Sequence, residues 1–67
     1  MNDVKYPNIE VELVGGDGNA MVIMAKVARA LRRAGVPQTE VDAYMAESMS
    51  GDYNNVLTTA MRWVDVS

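Results

Sequence analysis

The chain has 67 residues, of which 49% are apolar and 22% are charged, and its net charge is −3. This length predicts one domain with a small core, and the composition excludes intrinsic disorder, which needs fewer large apolar residues and a stronger charge imbalance. The chain has no cysteine and no histidine, which excludes a disulfide-stabilised secreted domain and weakens any enzymatic interpretation.

The expected location is cytoplasmic. Residues Met1–Glu10 are polar and lack the apolar segment of a signal peptide. The longest apolar run, Ala20–Ala25, is far shorter than the roughly 18 residues that a membrane span requires. We therefore predict a single domain over residues 1–67, with residues 1–7 as a loose N-terminal segment and no contact with a membrane.

A first strand is predicted at about Asn8 to Val14. Ile9, Val11 and Leu13 alternate with two glutamates, which is typical of a strand with one buried and one solvated face. The glycine-rich segment 15–18 then ends the strand, because glycine weakens both strands and helices.

A first helix is predicted from Ala20 to about Ala34. Asn19 is placed to cap its first turn, and Gly35 stands where a left-handed residue ends a helix. Apolar residues recur at the three-to-four spacing of one helix face, at Ala20, Ile23, Met24, Val27, Leu31 and Ala34.

A second helix is predicted to begin near Pro37 to Thr39 and to end at Ser50 and Gly51. Thr39 with Asp42 resembles a capping box in which aspartate replaces glutamate. The expected apolar positions of this helix are Val41, Tyr44, Met45 and Met49.

Asp52 is predicted to cap a third helix, whose apolar face comprises Tyr53, Val56, Leu57, Ala60, Met61 and Val64. The segment Trp63–Ser67 can end this helix by fraying or can form a strand. We favour a short strand beside the first one, which otherwise has no pairing partner for its backbone groups. The predicted class is α+β, a small β-α-α-α-β domain with three helices packed on a short two-stranded sheet. Completion of the sheet across a homodimer stays open.

The loop Gly15–Asn19 joins a strand to a helix, as glycine-rich phosphate-binding loops do. It lacks the lysine and the hydroxyl of a P-loop, and Asp17 would repel phosphate. Asp17 and Asn19 also fall short of the ligand set of a calcium-binding loop. We favour a tight turn in which the glycines supply positive φ and Asn19 caps the following helix. We predict no cofactor and no metal site.

Four of the six basic residues lie in the first helix, at Lys26, Arg29, Arg32 and Arg33. This basic face is a candidate interaction site that can contact phosphates, or it is a solvated surface that complements the helix dipole. The remaining segments carry all nine carboxylates against Lys5 and Arg62, so the basic face belongs to an otherwise acidic protein.

Three further features concern the surface and the core. Glu10 and Glu12 share the exposed face of the first strand, where charge discourages edge pairing. Trp63 is interpreted as a core residue, with an exposed interface residue as the alternative that makes it a candidate interaction site. For the five methionines after Met1 we favour core packing over an adaptable binding surface. No catalytic residue is predicted.

The chain resembles a family of small proteins from bacterial genomes and from phages or other mobile elements. The residues that carry the resemblance are Leu13–Gly15, Asp17–Ala20, Ala30–Val36, Ser50–Tyr53 and Met61–Val64. The resemblance implies one domain with the same order of elements and an accessory protein that acts by binding. It implies no activity and no catalytic residue.

Taken together, the sequence predicts a small non-enzymatic protein that acts by contact with a protein partner and that self-associates. The alternative is a nucleic-acid-binding accessory protein or regulator that uses the basic face.

Overall fold

The computed structural model describes residues 4–12 and 19–66. They form strands and helices in the predicted order β-α-α-α-β, with a two-stranded sheet, which confirms the α+β class. The elements are β1 (Tyr6–Val11), α1 (Ala20–Arg33), α2 (Gln38–Ser48), α3 (Tyr53–Trp63) and β2 (Val64–Val66). None of the helices in these ranges is long and apolar enough to cross a membrane.

Local hydrogen bonds set the ends of α1 and α3 as the sequence predicts. The side chain of Asn19 accepts the Met21 N–H at 2.9 Å, and that of Asp52 accepts the Asn55 N–H at 3.1 Å. Gly35 has a φ of 88° directly after α1. Its N–H donates to the Arg32 carbonyl and that of Val36 to the Leu31 carbonyl, which is a Schellman motif.

The start of α2 lies within the predicted range, but its cap differs from the prediction. The helix begins at Gln38, and Pro37 is the capping residue, with no side-chain cap. Thr39 already lies inside the helix, so it cannot adopt the extended geometry of a cap, and the Thr39–Asp42 capping box is wrong. The Asp42 carboxylate instead accepts a 2.8 Å hydrogen bond from the Gln38 side chain.

The two strands pair in parallel, so the three helices form the connection between them. Tyr6 pairs with Val64 and Glu10 with Asp65, and the intervening residues 7–9 interrupt the register. Pro7 has no N–H to donate to a ladder, which suits it to this interruption. The strand begins two residues earlier than predicted and so includes part of the segment predicted to be loose. The short C-terminal strand is confirmed.

The predicted end of the first strand, at Leu13 and Val14, and the glycine-rich segment 15–18 lie outside the described residues. Within the described part of the strand the alternation is confirmed. Val11 is buried and Ile9 is partly buried, whereas Glu10 and Glu12 are exposed.

Among the described residues, the core consists of two clusters. The larger joins the sheet to all three helices, and Val27, Leu31, Val41 and Val64 are fully buried in it. The smaller brings Ile23 and Met24 of α1 against Val56 of α3, near the start of both helices. Each such apolar side chain stabilises the fold by about 1.5–3 kcal/mol relative to full exposure.

Candidate functional site

The basic face lies on the outside of α1. The side chains of Lys26, Arg29, Arg32 and Arg33 are all exposed. Among residues 4–12 and 19–66, the three arginines form no ion pair and donate no side-chain hydrogen bond within the chain. Their charges are therefore available to an external anion.

The side of the basic face next to β1 carries mixed charge. A shallow cavity of about 200 Å³ brings Glu10 and Glu12 together with Lys26, Arg29 and Arg33. The two carboxylates reduce the positive potential on this side. A phosphate backbone that follows α1 here would meet both signs of charge.

The other side of the basic face borders α2. A cavity of about 430 Å³ lies there, with Arg32 and Arg29 beside a largely apolar floor; its lining is Ala25, Lys26, Ala28, Arg29, Arg32 and Met45. The neighbours Arg32 and Arg33 thus face different surroundings. Arg32 lines the cavity next to α2, and Arg33 lines the mixed-charge cavity next to β1.

The methionines divide between core and surface, so the interpretation that favoured core packing over a binding surface is correct for only two of the five. Met24 is buried and Met45 is partly buried, but Met21, Met49 and Met61 are 63%, 61% and 59% exposed. Met49 lies beyond the last residue of α2, which ends at Ser48.

Met61 is exposed because α3 packs against the core with a different face. Thr59 and Trp63 are buried on this helix, along with Val56 and Ala60. The buried face is therefore turned away from Met61. A polar residue that takes a core position is not visible in apolar periodicity, so the sequence prediction placed Met61 on the wrong side.

Two of these exposed methionines meet at one place. Met21, Met49 and Tyr53 line a cavity of about 270 Å³, together with Met24 and Val56. They come from the first turn of α1, the end of α2 and the first turn of α3. We call Met21, Met49 and Tyr53 the methionine patch. The sequence contains a weak signal for it, since each of its residues stands next to a predicted helix end.

Trp63 lies in the core, in agreement with the favoured interpretation and not with the exposed alternative. It is 5% exposed, and its indole N–H donates to Glu47 Oε2 at 2.9 Å. The Tyr44 ring packs edge-on at 5.6 Å between centroids, and the Tyr6 ring lies at 6.0 Å. The Lys5 ammonium stands 4.3 Å from the indole centroid. These contacts satisfy the side chain internally.

A polar cluster ties the start of β1 to α2. Lys5 Nζ pairs with Glu40 Oε1 at 2.6 Å, and the Tyr6 hydroxyl donates to the same oxygen at 3.2 Å. The hydrogen bond from Lys5, helped by the one from Tyr6, lowers the pKa of Glu40, while desolvation opposes it. The same hydrogen bond raises the pKa of Lys5. These groups stabilise one another, which is the arrangement of a structural ion pair.

Tyr44 and Ser48 carry buried hydroxyls one helical turn apart on α2. Neither oxygen has a hydrogen-bond partner in the described structure, and the two do not meet hydrogen-bond geometry with each other. Burial raises the pKa of Tyr44, and the nearby Ser48 hydroxyl counters this only in part. Within residues 4–12 and 19–66 there is also no group of three or more acidic side chains that could hold a metal ion.

No protein-family model matches the chain, and no curated protein or solved structure is similar to it at a significant level. The resemblance to small bacterial and phage proteins therefore stays a prediction.

Proposed function

We propose that this protein is a small non-enzymatic accessory protein of the cytoplasm that acts by binding a protein partner through the methionine patch. The observation that carries the proposal is the clustering of Met21, Met49 and Tyr53 around one apolar cavity. Apolar side chains scattered over a surface are ordinary, but a contiguous group beside a cavity is typical of an interaction site.

Methionine suits such a contact. Its unbranched thioether side chain adapts to partners of different shape. The cavity floor is formed by Met24 and Val56, which belong to the core and are held in place by packing. The patch therefore combines adaptable side chains with a rigid support.

The ionisable groups with shifted pKa values lie away from the methionine patch, and two of them, Lys5 and Tyr6, line a separate cavity of about 450 Å³. Within residues 4–12 and 19–66, the groups whose pKa values are shifted are Lys5, Tyr6, Glu40 and Tyr44. The first three contact one another at the protein surface, and Tyr44 is enclosed in the core. None of them lines the cavity beside the methionine patch.

A nucleic-acid-binding role for the basic face is the second candidate. The observation in its favour is the set of three arginines without partners in the described structure. Glu10 and Glu12 beside Arg29 and Arg33 argue against it, because they oppose phosphate binding along that side of α1.

The test compares a variant of the methionine patch with a matched control, and adds one charge reversal in the basic face, in an affinity capture from host lysate with and without nuclease. Met21→Gln combined with Met49→Gln alters the patch, whereas Met61→Gln is a matched control because Met61 is equally exposed and lies outside the cavity. We expect a nuclease-resistant protein partner to bind the wild type and the control but not the double variant. Loss of all partners on nuclease treatment, together with loss of nucleic acid on Arg29→Glu, would establish the second candidate instead.

Self-association belongs to the same proposal and is measured separately. Sedimentation equilibrium of the purified wild type should give a mass above the monomer at high concentration, and the double variant should shift toward the monomer. A standard interface buries about 800 Å² on each partner, against a total surface of 4375 Å². If the protein is a monomer at all concentrations, self-association is excluded, and the methionine patch binds only a different protein.

A further inference from the structure

The methionine patch and the arginines next to α2 line two separate cavities that follow one another along α1. On α1, Met21, Ala25, Arg29 and Arg32 follow one another at intervals of four, four and three residues and so share a face. On α2 and its end, Met45 and Met49 are one turn apart. The two cavities are lined by successive turns of these stripes. We call this surface the seam groove.

The seam groove has a definite length. From Met21 to Arg32 the helix rises about 16 Å, at ~1.5 Å per residue. Its middle is formed by Ala25 and Ala28 with Met45 opposite. Alanine side chains are short, so a partner's backbone can approach closely here. The dimensions match about three turns of a bound helix.

The side chains that line the seam groove change from apolar to basic along its length. One end is apolar and consists of the methionine patch. The other end presents Arg29 and Arg32, without intramolecular partners in the described structure, together with Lys26. An occupant that satisfies both ends has apolar side chains at one end and carboxylates at the other.

Glu10 and Glu12 lie beside Arg29 on the β1 side and weaken its positive potential, but they do not share a cavity with Arg32. The carboxylates on the α2 and α3 side of the groove do not cancel the pattern. Asp52 lines the apolar end, where it accepts the N–H of Asn55 as a helix cap. Asp42 lies one turn before Met45 and accepts a hydrogen bond from Gln38, and it does not line the cavity with the arginines. Glu47 is directed to Trp63 and Arg62.

We propose that the seam groove binds an amphipathic helix of a partner protein, with apolar residues on the methionine patch and acidic residues against Arg29 and Arg32. The inference rests on the proposed function, because its apolar end is the methionine patch. A helix fits better than a nucleic acid, since the floor between the two ends is apolar and offers no donor to a phosphate.

The probe is a fluorescein-labelled helical peptide of roughly 14 residues. It carries leucines at three-to-four spacing and glutamates in its last turns. The comparison ligands are a scrambled peptide of the same composition and a single-stranded oligonucleotide of similar charge. Binding is followed by fluorescence anisotropy, and folding of every variant is checked by circular dichroism.

Arg32→Glu and Arg33→Glu form the matched pair, because the two neighbours face different sides of α1. We expect the wild type to bind the amphipathic peptide about tenfold more tightly than the scrambled one. Arg32→Glu should weaken binding by about tenfold, and Arg33→Glu by less than about threefold. Equal effects of the two reversals, or equal binding of both peptides, would overturn the proposal. Tighter binding of the oligonucleotide than of the amphipathic peptide would overturn it in favour of nucleic acid.

A second pair of variants tests peptide binding in the seam groove without changing an arginine. Ala25→Glu places a carboxylate in the middle of the seam groove, whereas Ala43→Glu adds the same charge at an exposed position of α2 outside both cavities. We expect loss of peptide binding for the first variant only. If the wild type fails to bind the peptide but still captures a Met49-dependent protein from lysate, the groove proposal fails and the proposed function stands. Peptide binding without any nuclease-resistant protein partner in lysate would instead contradict the proposed function.

Discussion

The indole N–H of Trp63 donates a 2.9 Å hydrogen bond to Glu47 Oε2, which joins the last turn of α3 to α2. The same carboxyl group lies 3.7 Å from the Arg62 guanidinium through its other oxygen. Trp63 also contacts Lys5 and Tyr6 from the start of the chain. One side chain thus connects the first strand, the second helix and the third helix.

Replacing Trp63 with Phe should destabilise the protein by about 1–3 kcal/mol, because the indole donor is lost and the smaller ring leaves a gap in the core. Urea denaturation followed by circular dichroism measures the effect. Glu47→Gln is the control, since its amide oxygen still accepts the hydrogen bond, and it should change the free energy of unfolding by less than about 1 kcal/mol. Equal effects of the two substitutions would mean that the charge of Glu47, rather than the packing of Trp63, holds this contact.

The Lys5–Glu40 pair should make stability depend on pH in the acidic range. The pKa of Glu40 is lowered in the folded protein from its ordinary value of 4.5. Its contribution is therefore present above about pH 4.5 and is lost as the pH falls through the lower, folded-state pKa. Thermal unfolding of the wild type and of Glu40→Gln between neutral and acidic pH measures this. The difference in melting temperature should shrink as the pH falls, and a constant difference would contradict the assignment.

Gly35 should tolerate asparagine better than alanine. Its φ of 88° lies in the left-handed region, and a Cβ at this position meets nothing within 4 Å. Gly35→Ala should therefore lower the free energy of unfolding by about 1–2 kcal/mol, which is the cost of a left-handed backbone conformation for alanine. Gly35→Asn should cost less, because asparagine populates this region more readily. Chemical denaturation distinguishes the two, and equal losses would point to a steric cause that the open space around Gly35 does not provide.

Asn55 should be important for the end of α2. Its side-chain amide donates to the carbonyls of Glu47 and Ser48, at 2.9 and 3.2 Å. Asn55→Ala removes both bonds and should destabilise the protein by about 1–2 kcal/mol. Asn55→Asp keeps the size but sets a carboxylate against two carbonyl oxygens, so it should destabilise at least as much at neutral pH and less when the aspartate is protonated. A neutral-pH Asn55→Asp variant as stable as the wild type would show that these bonds do not stabilise the helix end.

Substitution of the methionine patch should leave folding intact. Met21 and Met49 are mostly exposed, so Met21→Gln with Met49→Gln should change the free energy of unfolding by less than about 0.5 kcal/mol for each site. Met24→Gln, at a buried position, should cost several-fold more. Urea titrations measure both. A large loss in the double variant would place the patch in the core of the protein instead of at its surface.

The sequence by itself determined the features that depend on neighbours a few positions apart. Asn19 and Asp52 cap helices because their side chains reach an N–H two or three residues on. Gly35 ends α1 because glycine adopts a positive φ without strain. The order of elements and the C-terminal strand followed from these boundaries and from apolar periodicity.

The tertiary structure alone decided what depends on contacts between distant segments. The parallel register, with its interruption after Tyr6, arises where β2 meets β1. Met49 and Met61 are exposed because the ends of α2 and the rotation of α3 are set by packing, with Thr59 in the core. The seam groove likewise exists only because α1 and α2 lie side by side. Periodicity shows which residues share a helix face, but the neighbouring elements decide whether that face is covered.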